Sequence, residues 1–267
     1  MIRKPVVAGQ FYTQNPEKLR REVAGFSPER KDKIDAMGVI SPHAGYVYSG
    51  AVAGSVLSSI SPRPTYIILG PNHTGSGKPF GIDLGRSWET PLGEVVIDNE
   101  LGEAILEESL YVEKDAICHE REHSIEVQLP FLQYLNKGFN FVPIVIASAS
   151  RKIYKNIGKS LASAVKKTKK DVAIIASSDM THYEPQESAK QKDMMAIEKI
   201  LELDVDGFLD TVEEHDISMC GFAPTAVMLS AACELGARKA RLIKYNTSAD
   251  ASGDYSAVVG YAGIVVY

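Results

Sequence analysis

The 267-residue sequence predicts an α/β fold, a three-layer α/β/α sandwich with a mostly parallel central sheet. Three observations predict it. Short apolar runs alternate with longer amphipathic ones, as in a parallel sheet covered by helices. The apolar runs are four to seven residues long, rich in β-branched types and bounded by Pro, Gly, Ser or Asn, which suits strands buried on both faces. No internal repeat, low-complexity tract or Pro/Ser-rich linker breaks the pattern, so residues 1–267 read as one domain.

In chain order, amphipathic spacing predicts a helix over 15–26, then the strand AMGVIS (36–41), a helix over 49–60 and the strand TYIILG (65–70). The stretch SWETPLGEVVID (87–98) has a turn signal at Pro91-Leu92-Gly93 and reads as a hairpin rather than a crossover helix. Helices follow over 99–109, with Asp98 as N-cap, and over 124–136; the strand FVPIVIA (141–147) leads to a helix over 150–165 capped by Ser150. The strand DVAIIAS (171–177) precedes helices over 186–202, 204–214 and 223–235. Strands at 240–246 and 256–267 complete the chain, the last as an edge or antiparallel partner.

Hydrophobic residues at 45% and charged residues at 24% are ordinary for a globular domain. No apolar run approaches the roughly 20 residues of a membrane helix. The N-terminus has no apolar stretch of signal-peptide length, so a cytoplasmic protein is expected. A net charge of −5 with scattered positive residues argues against a nucleic-acid partner. The densest basic run, Lys166, Lys167, Lys169 and Lys170, suits a helix C-terminus. The three cysteines form no C-x-x-C pair, which fits a reduced compartment.

Three strand ends share a design. One runs into Ser41-Pro42-His43-Ala44-Gly45, another into Gly70-Pro71-Asn72-His73-Thr74-Gly75, and a later one into Ser177-Ser178-Asp179-Met180-Thr181-His182-Tyr183. Open α/β sheets bind ligands beyond the carboxyl ends of their strands, so these imidazoles are expected to converge on one crevice. His43 and His73 are placed there by the ends of two neighbouring strands. Neutral imidazole suits Zn, Cu, Fe and Ni, and two His with one anionic ligand leave positions open for substrate. Asp179 is that third ligand, the carboxylate that orients His182, or a cap or turn residue after the strand. Cys220, beside Gly221 at the mouth of a helix, is either a thiolate ligand or a buried structural thiol. Cys233 reads as core, and Cys118 is given no role. His119-Glu120-Arg121-Glu122-His123 matches the H-E-x-x-H pattern of zinc peptidases. That pattern needs the interior of a long helix, whereas helical spacing here starts only at Ile125 and Pro130 opposes an earlier start, so the peptidase reading is remote.

PVVAGQFY (5–12), SPHAGYVYSG (41–50), LGPNHTG (69–75), EHSIEVQLPFLQ (122–133), SSDMTHY (177–183) and SMCG (218–221) together resemble the motifs of the Memo-like family, named for a mediator of ErbB2-driven cell motility. That family is similar in fold to the catalytic subunit of class III extradiol dioxygenases. The resemblance implies a metal site on His43, His73 and Cys220, the cysteine standing where the dioxygenases use a Glu. It implies an acid/base role for His182 and puts His123 and Glu126 at the same pocket, as substrate contacts or as support behind the ligands; in the enzyme reading Asp179 orients His182. The implied cofactor is one iron or copper ion, zinc also meeting the donor set, in a metal-dependent oxidoreductase. The alternative is a non-catalytic module holding a peptide tail or small ligand in the same pocket. The family also implies a pathway link to radical-SAM and AMMECR1-like proteins, and neither a nucleic-acid nor a membrane partner.

Overall fold

The computed structural model describes residues 1–267. The chain opens with β1 (Ile2–Arg3), α1 (Pro16–Phe26), β2 (Gly38–Ser41), α2 (Tyr46–Leu57) and β3 (Thr65–Pro71). An excursion follows through β4 (Gly81–Ile82), β5 (Ser87–Thr90), β6 (Gly93–Ile97), α3 (Asn99–Glu108) and β7 (Glu113–Lys114). The chain then returns through α4 (Leu129–Leu135), β8 (Asn140–Ile146), α5 (Arg151–Thr168) and β9 (Val172–Ser177). The last third holds β10 (His182–Glu184), α6 (Gln186–Leu201), α7 (Val205–Glu214), α8 (Phe222–Leu235), β11 (Ala240–Thr247), α9 (Ala249–Ser252) and β12 (Val258–Val266).

The sheet runs β1-β5-β6-β8-β3-β9-β2-β12-β10, with β11 also on β12 and β4 joining β7 to β8. Its centre is parallel: β6, β8, β3, β9 and β2 all run the same way. Both faces of those strands are covered, which is why β3 and β9 are buried at every position and read as unbroken apolar runs. One helical layer consists of α3, α5 and α8 packed side by side, with α7 on α8; the other brings α1 and α4 against α2. This is the expected α/β/α sandwich.

Several expectations change in detail. β2 and β3 are not neighbours, because β9 inserts between them. The final strand is internal, antiparallel to β2 and, further along the same side, to β10, with β11 antiparallel to it on the other side. The helix expected over 124–136 is regular only from Leu129, where Pro130 sits in the first turn and needs no N–H; a 3-10 turn, Glu126–Gln128, precedes it. The hairpin forms as read, with Ser87 opposite Val96 and Thr90 opposite Gly93. Asp98 caps α3 by accepting from the Leu101 N–H at 3.1 Å, while Ser150 precedes α5 without a side-chain bond. Lys166 and Lys167 lie in the last turn of α5, as predicted, whereas Lys170 lies beyond it and pairs with Asp98. Cys233 is only partly buried. No helix is long and apolar enough to cross a membrane.

Candidate metal centre

Because β2, β9 and β3 are parallel, their carboxyl ends open on one edge of the sheet, and the three His-bearing loops meet there. The approach is tight. A Cβ on Gly70 would overlap the Ser124 hydroxyl, and one on Gly221 would overlap Ser178, so only glycine lets these segments close on one another. The result is a cavity of about 190 Å³ lined by His43, His73, His123, Asp179 and His182, with Phe11, Tyr183, Val259 and Tyr261 around it. The ring centroids of His43 and His73 are 5.1 Å apart, and His123 stacks on His73 at 4.9 Å.

Hydrogen bonding fixes which nitrogen of each ring faces inward. The Ser177 hydroxyl donates to the Ser124 carbonyl at 2.6 Å, so its oxygen accepts from the other side, and His43 Nδ1 at 3.0 Å is the donor. Gln128 Nε2 donates to the same oxygen at 2.8 Å and to the Pro42 carbonyl at 2.9 Å, leaving Ser177 fully satisfied. His73 Nδ1 donates to the Glu122 carboxylate at 2.9 Å. His182 Nδ1 donates to the Ser218 carbonyl at 2.8 Å. In the neutral form of all three rings the proton therefore sits on Nδ1 and Nε2 carries the free lone pair, the state a metal ligand or a general base requires.

Cys220, in the loop before α8, places Sγ 3.3 Å from His43 Nε2. The ligand atoms of His43, His73 and Cys220 all lie within 4.8 Å of one another. Nitrogen and sulfur on a tetrahedral ion, with bonds of about 2.0 and 2.3 Å, would stand roughly 3.5 Å apart, so the donor set fits an ion. Asp179, His182 and Cys220 form a second cluster of the same tightness, and His73, Glu122 and His123 a third.

Burial and charge set the protonation of these groups. Burial holds the His43 ring well below its ordinary value, and neighbouring His73 and His123 add to this, so it is neutral. Burial also pushes the Cys220 thiol up, and the Asp179 carboxylate pushes it further. Without an ion the thiol keeps its proton and donates a hydrogen bond to His43 Nε2; the α8 terminus does not overcome burial. Burial raises Asp179 to about 6 against the opposing hydrogen bond from the His43 N–H. Burial works against ionised Glu122 as well, but donors from His73 and the Ser124 N–H outweigh it and hold the carboxyl at about 2.

Two expected roles need correction. Asp179 does not orient His182: Oδ1 accepts the N–H groups of His43 at 2.8 Å and Ala44 at 3.3 Å, and so fixes the His43 loop. Ser218 does the orienting, its hydroxyl also accepting the His182 N–H at 2.8 Å. Glu126 does not contact the pocket. It is wholly buried beneath it, paired with Arg3 at 2.7 Å and accepting from Tyr12 Oη at 2.7 Å and the Val6 N–H at 2.8 Å. The peptidase motif also dissolves: His119 faces away, buried against Trp88 with Nε2 donating to the Gly81 carbonyl at 3.0 Å. Of that motif only Glu122 and His123 reach the site. Ser177, Gln128, Glu122 and Ser218 escaped sequence reading, although each lies inside a motif that was noticed for its neighbours.

A family model described as Memo-like protein matches residues 3–265. A "MEMO1 family protein" of Methanopyrus kandleri is 43% identical over 279 residues, covering 99% of both chains. Another from Methanosarcina acetivorans is 44% identical over 267 residues, again with 99% of each covered. Among solved structures, an uncharacterized protein of Escherichia coli aligns with a TM-score of 0.55 at 10% identity, covering 85% of this chain and 98% of that one, a likeness of fold alone.

Proposed function

The chain belongs to the Memo-like protein family, and from that premise we propose that it is a metal-dependent redox enzyme holding one iron or copper ion on His43, His73 and Cys220. What supports this reading is three ligand atoms within 4.8 Å of one another, with the two imidazoles already turned to present their lone pairs. Two nitrogens and a sulfur form a soft to borderline donor set, better matched to copper, thiolate-bound iron or zinc than to a hard oxygen-seeking ion. When bound, the ion supplies charge stabilisation and a redox couple to a ligand in the open positions.

The protein's own groups do the rest. His182, with its Nδ1–H on Ser218, offers Nε2 to take a proton from the substrate and return it later. Asp179 holds the backbone that carries His43. His123 closes the wall beside His73, where it can touch a substrate. The cavity, at about 190 Å³, is smaller than the ~300–1,000 Å³ usual for drug-sized ligands. It admits the head of a small molecule, and the rest must lie outside. The same size favours a second reading, a non-catalytic pocket for the end of a peptide tail.

Anaerobic loading with Fe(II) or Cu(I) tests the proposal. Elemental analysis should find about one ion per chain, with uptake lost in His43→Ala and His73→Ala; equal metal content in all three proteins would remove the metal reading. His182→Ala should keep the ion and lose oxygen consumption stimulated by a reductant or catechol-like compound. Oxygen uptake absent from the loaded parent protein would favour the binding module.

A further inference from the structure

We infer that Arg3 is a positioning residue for the pocket: its guanidinium fixes the loop carrying Glu122 and His123, and through Glu122 it sets the orientation of the His73 ring. The inference rests on the reading of His73 as a metal ligand. Arg3 lies on β1, a two-residue edge strand, yet its side chain is only 1% exposed. Nε donates to the His119 carbonyl at 2.8 Å, one terminal nitrogen to the Glu122 carbonyl at 2.6 Å, and the other to Glu126 at 2.7 Å. The guanidinium carbon lies 4.0 Å from the centroid of the Trp88 ring, which backs the fork.

The loop needs such a template. Between the 3-10 turns Ile117–His119 and Glu126–Gln128 the backbone has no regular structure of its own, and Arg3 grips it at two carbonyls three residues apart. The Glu122 carboxylate, fully buried, then carries position across to the other loop. It accepts from His73 N at 2.8 Å, His73 Nδ1 at 2.9 Å, His123 N at 3.0 Å and Ser124 N at 2.9 Å. A carboxylate committed to four donors cannot shift without taking the His73 ring along. The same guanidinium, through Glu126, also ties down the segment leading to Phe11, which meets the His123 ring edge-on at 4.9 Å. A buried ion pair adds little net stability over a well-packed apolar replacement; what this one supplies is a fixed geometry.

Arg3→Lys tests the inference, because lysine keeps the charge and loses the planar fork. Two quantities are read: Cu(I) affinity by competition with a chelator, and the His73 tautomer by imidazole nitrogen NMR of the metal-free protein. Arg3→Lys should weaken Cu(I) binding by about 10-fold, the low end of the loss seen when a ligand's direct partner is removed, because Arg3 acts on His73 through Glu122. It should also turn His73 from a single Nδ1–H form into a mixture, while His43, locked separately by Ser177, stays as it is. Glu126→Gln, a milder change, should move both readouts the same way and decides the matter if Arg3→Lys does not fold. Ile157→Val in α5, a core truncation, should move neither. Folded Arg3→Lys with parental affinity and a parental His73 signal overturns the inference. If the parent protein binds no ion, the ligand reading of His73 falls, and the tautomer signal alone still decides on Arg3.

Discussion

Ser177→Ala removes one buried hydroxyl that three groups share. His43 Nδ1 loses its acceptor and the Ser124 carbonyl its donor, whereas Gln128 Nε2 keeps the Pro42 carbonyl at 2.9 Å. Two buried polar groups are thus orphaned, and at roughly 1–3 kcal/mol each the variant should lose about 2–6 kcal/mol of folding stability. The hydroxyl is also the only group that holds the proton on His43 Nδ1. With it gone, the ring can place its proton on Nε2, the atom that faces Cys220, and an ion would have to displace it. Metal affinity should fall roughly 10–100-fold. Urea denaturation gives the first quantity, chelator competition the second, and imidazole NMR shows the tautomer directly. A variant within about 0.5 kcal/mol of the parent, with His43 still in a single Nδ1–H form, would refute the hydrogen-bond assignment.

Two further outcomes follow from the same geometry. Burial holds His119 neutral with its titration lowered to about 3, although the Gly81 carbonyl favours the charged ring. The unfolded chain takes up this proton near pH 6.5 and the folded one does not, so stability is complete above that pH and declines down to about pH 3, by on the order of 5 kcal/mol. In His119→Gln this part of the acid-side loss should vanish while metal uptake is unchanged; loss of metal would revive the H-E-x-x-H motif as a ligand pair. Cys220→Ser should abolish any thiolate-to-metal charge-transfer band in the loaded protein, and an unaltered spectrum would show that the third ligand lies elsewhere, with Asp179, clustered with Cys220 and His182, the carboxylate to test next.

Much of the fold was legible because its signals are short-range. β3 and β9 are apolar at nearly every residue since both their faces are covered, and that condition is written in the residues themselves. The two-residue strands β1, β4 and β7 have no periodicity to read; they form only because a partner backbone is already in place. For the same reason the insertion of β9 between β2 and β3 was invisible, as strand order follows from how the crossovers pack.

The sequence by itself determined where the candidate ligands lie. His43, His73 and Asp179 each follow a buried parallel strand by a few residues, and strand ends in such sheets share an edge whatever the strand order. Tertiary structure alone decided how each is held. Ser177 meets His43 across 134 residues, Glu122 meets His73 across 49 and Ser218 meets His182 across 36. It also turned Asp179 toward the His43 backbone and drew Glu126 under the pocket to Arg3, both against expectation. Residue type announces that a carboxylate or hydroxyl can bind an imidazole. Which one does so depends on the closure of loops far apart in the chain, and local pattern carries no trace of that.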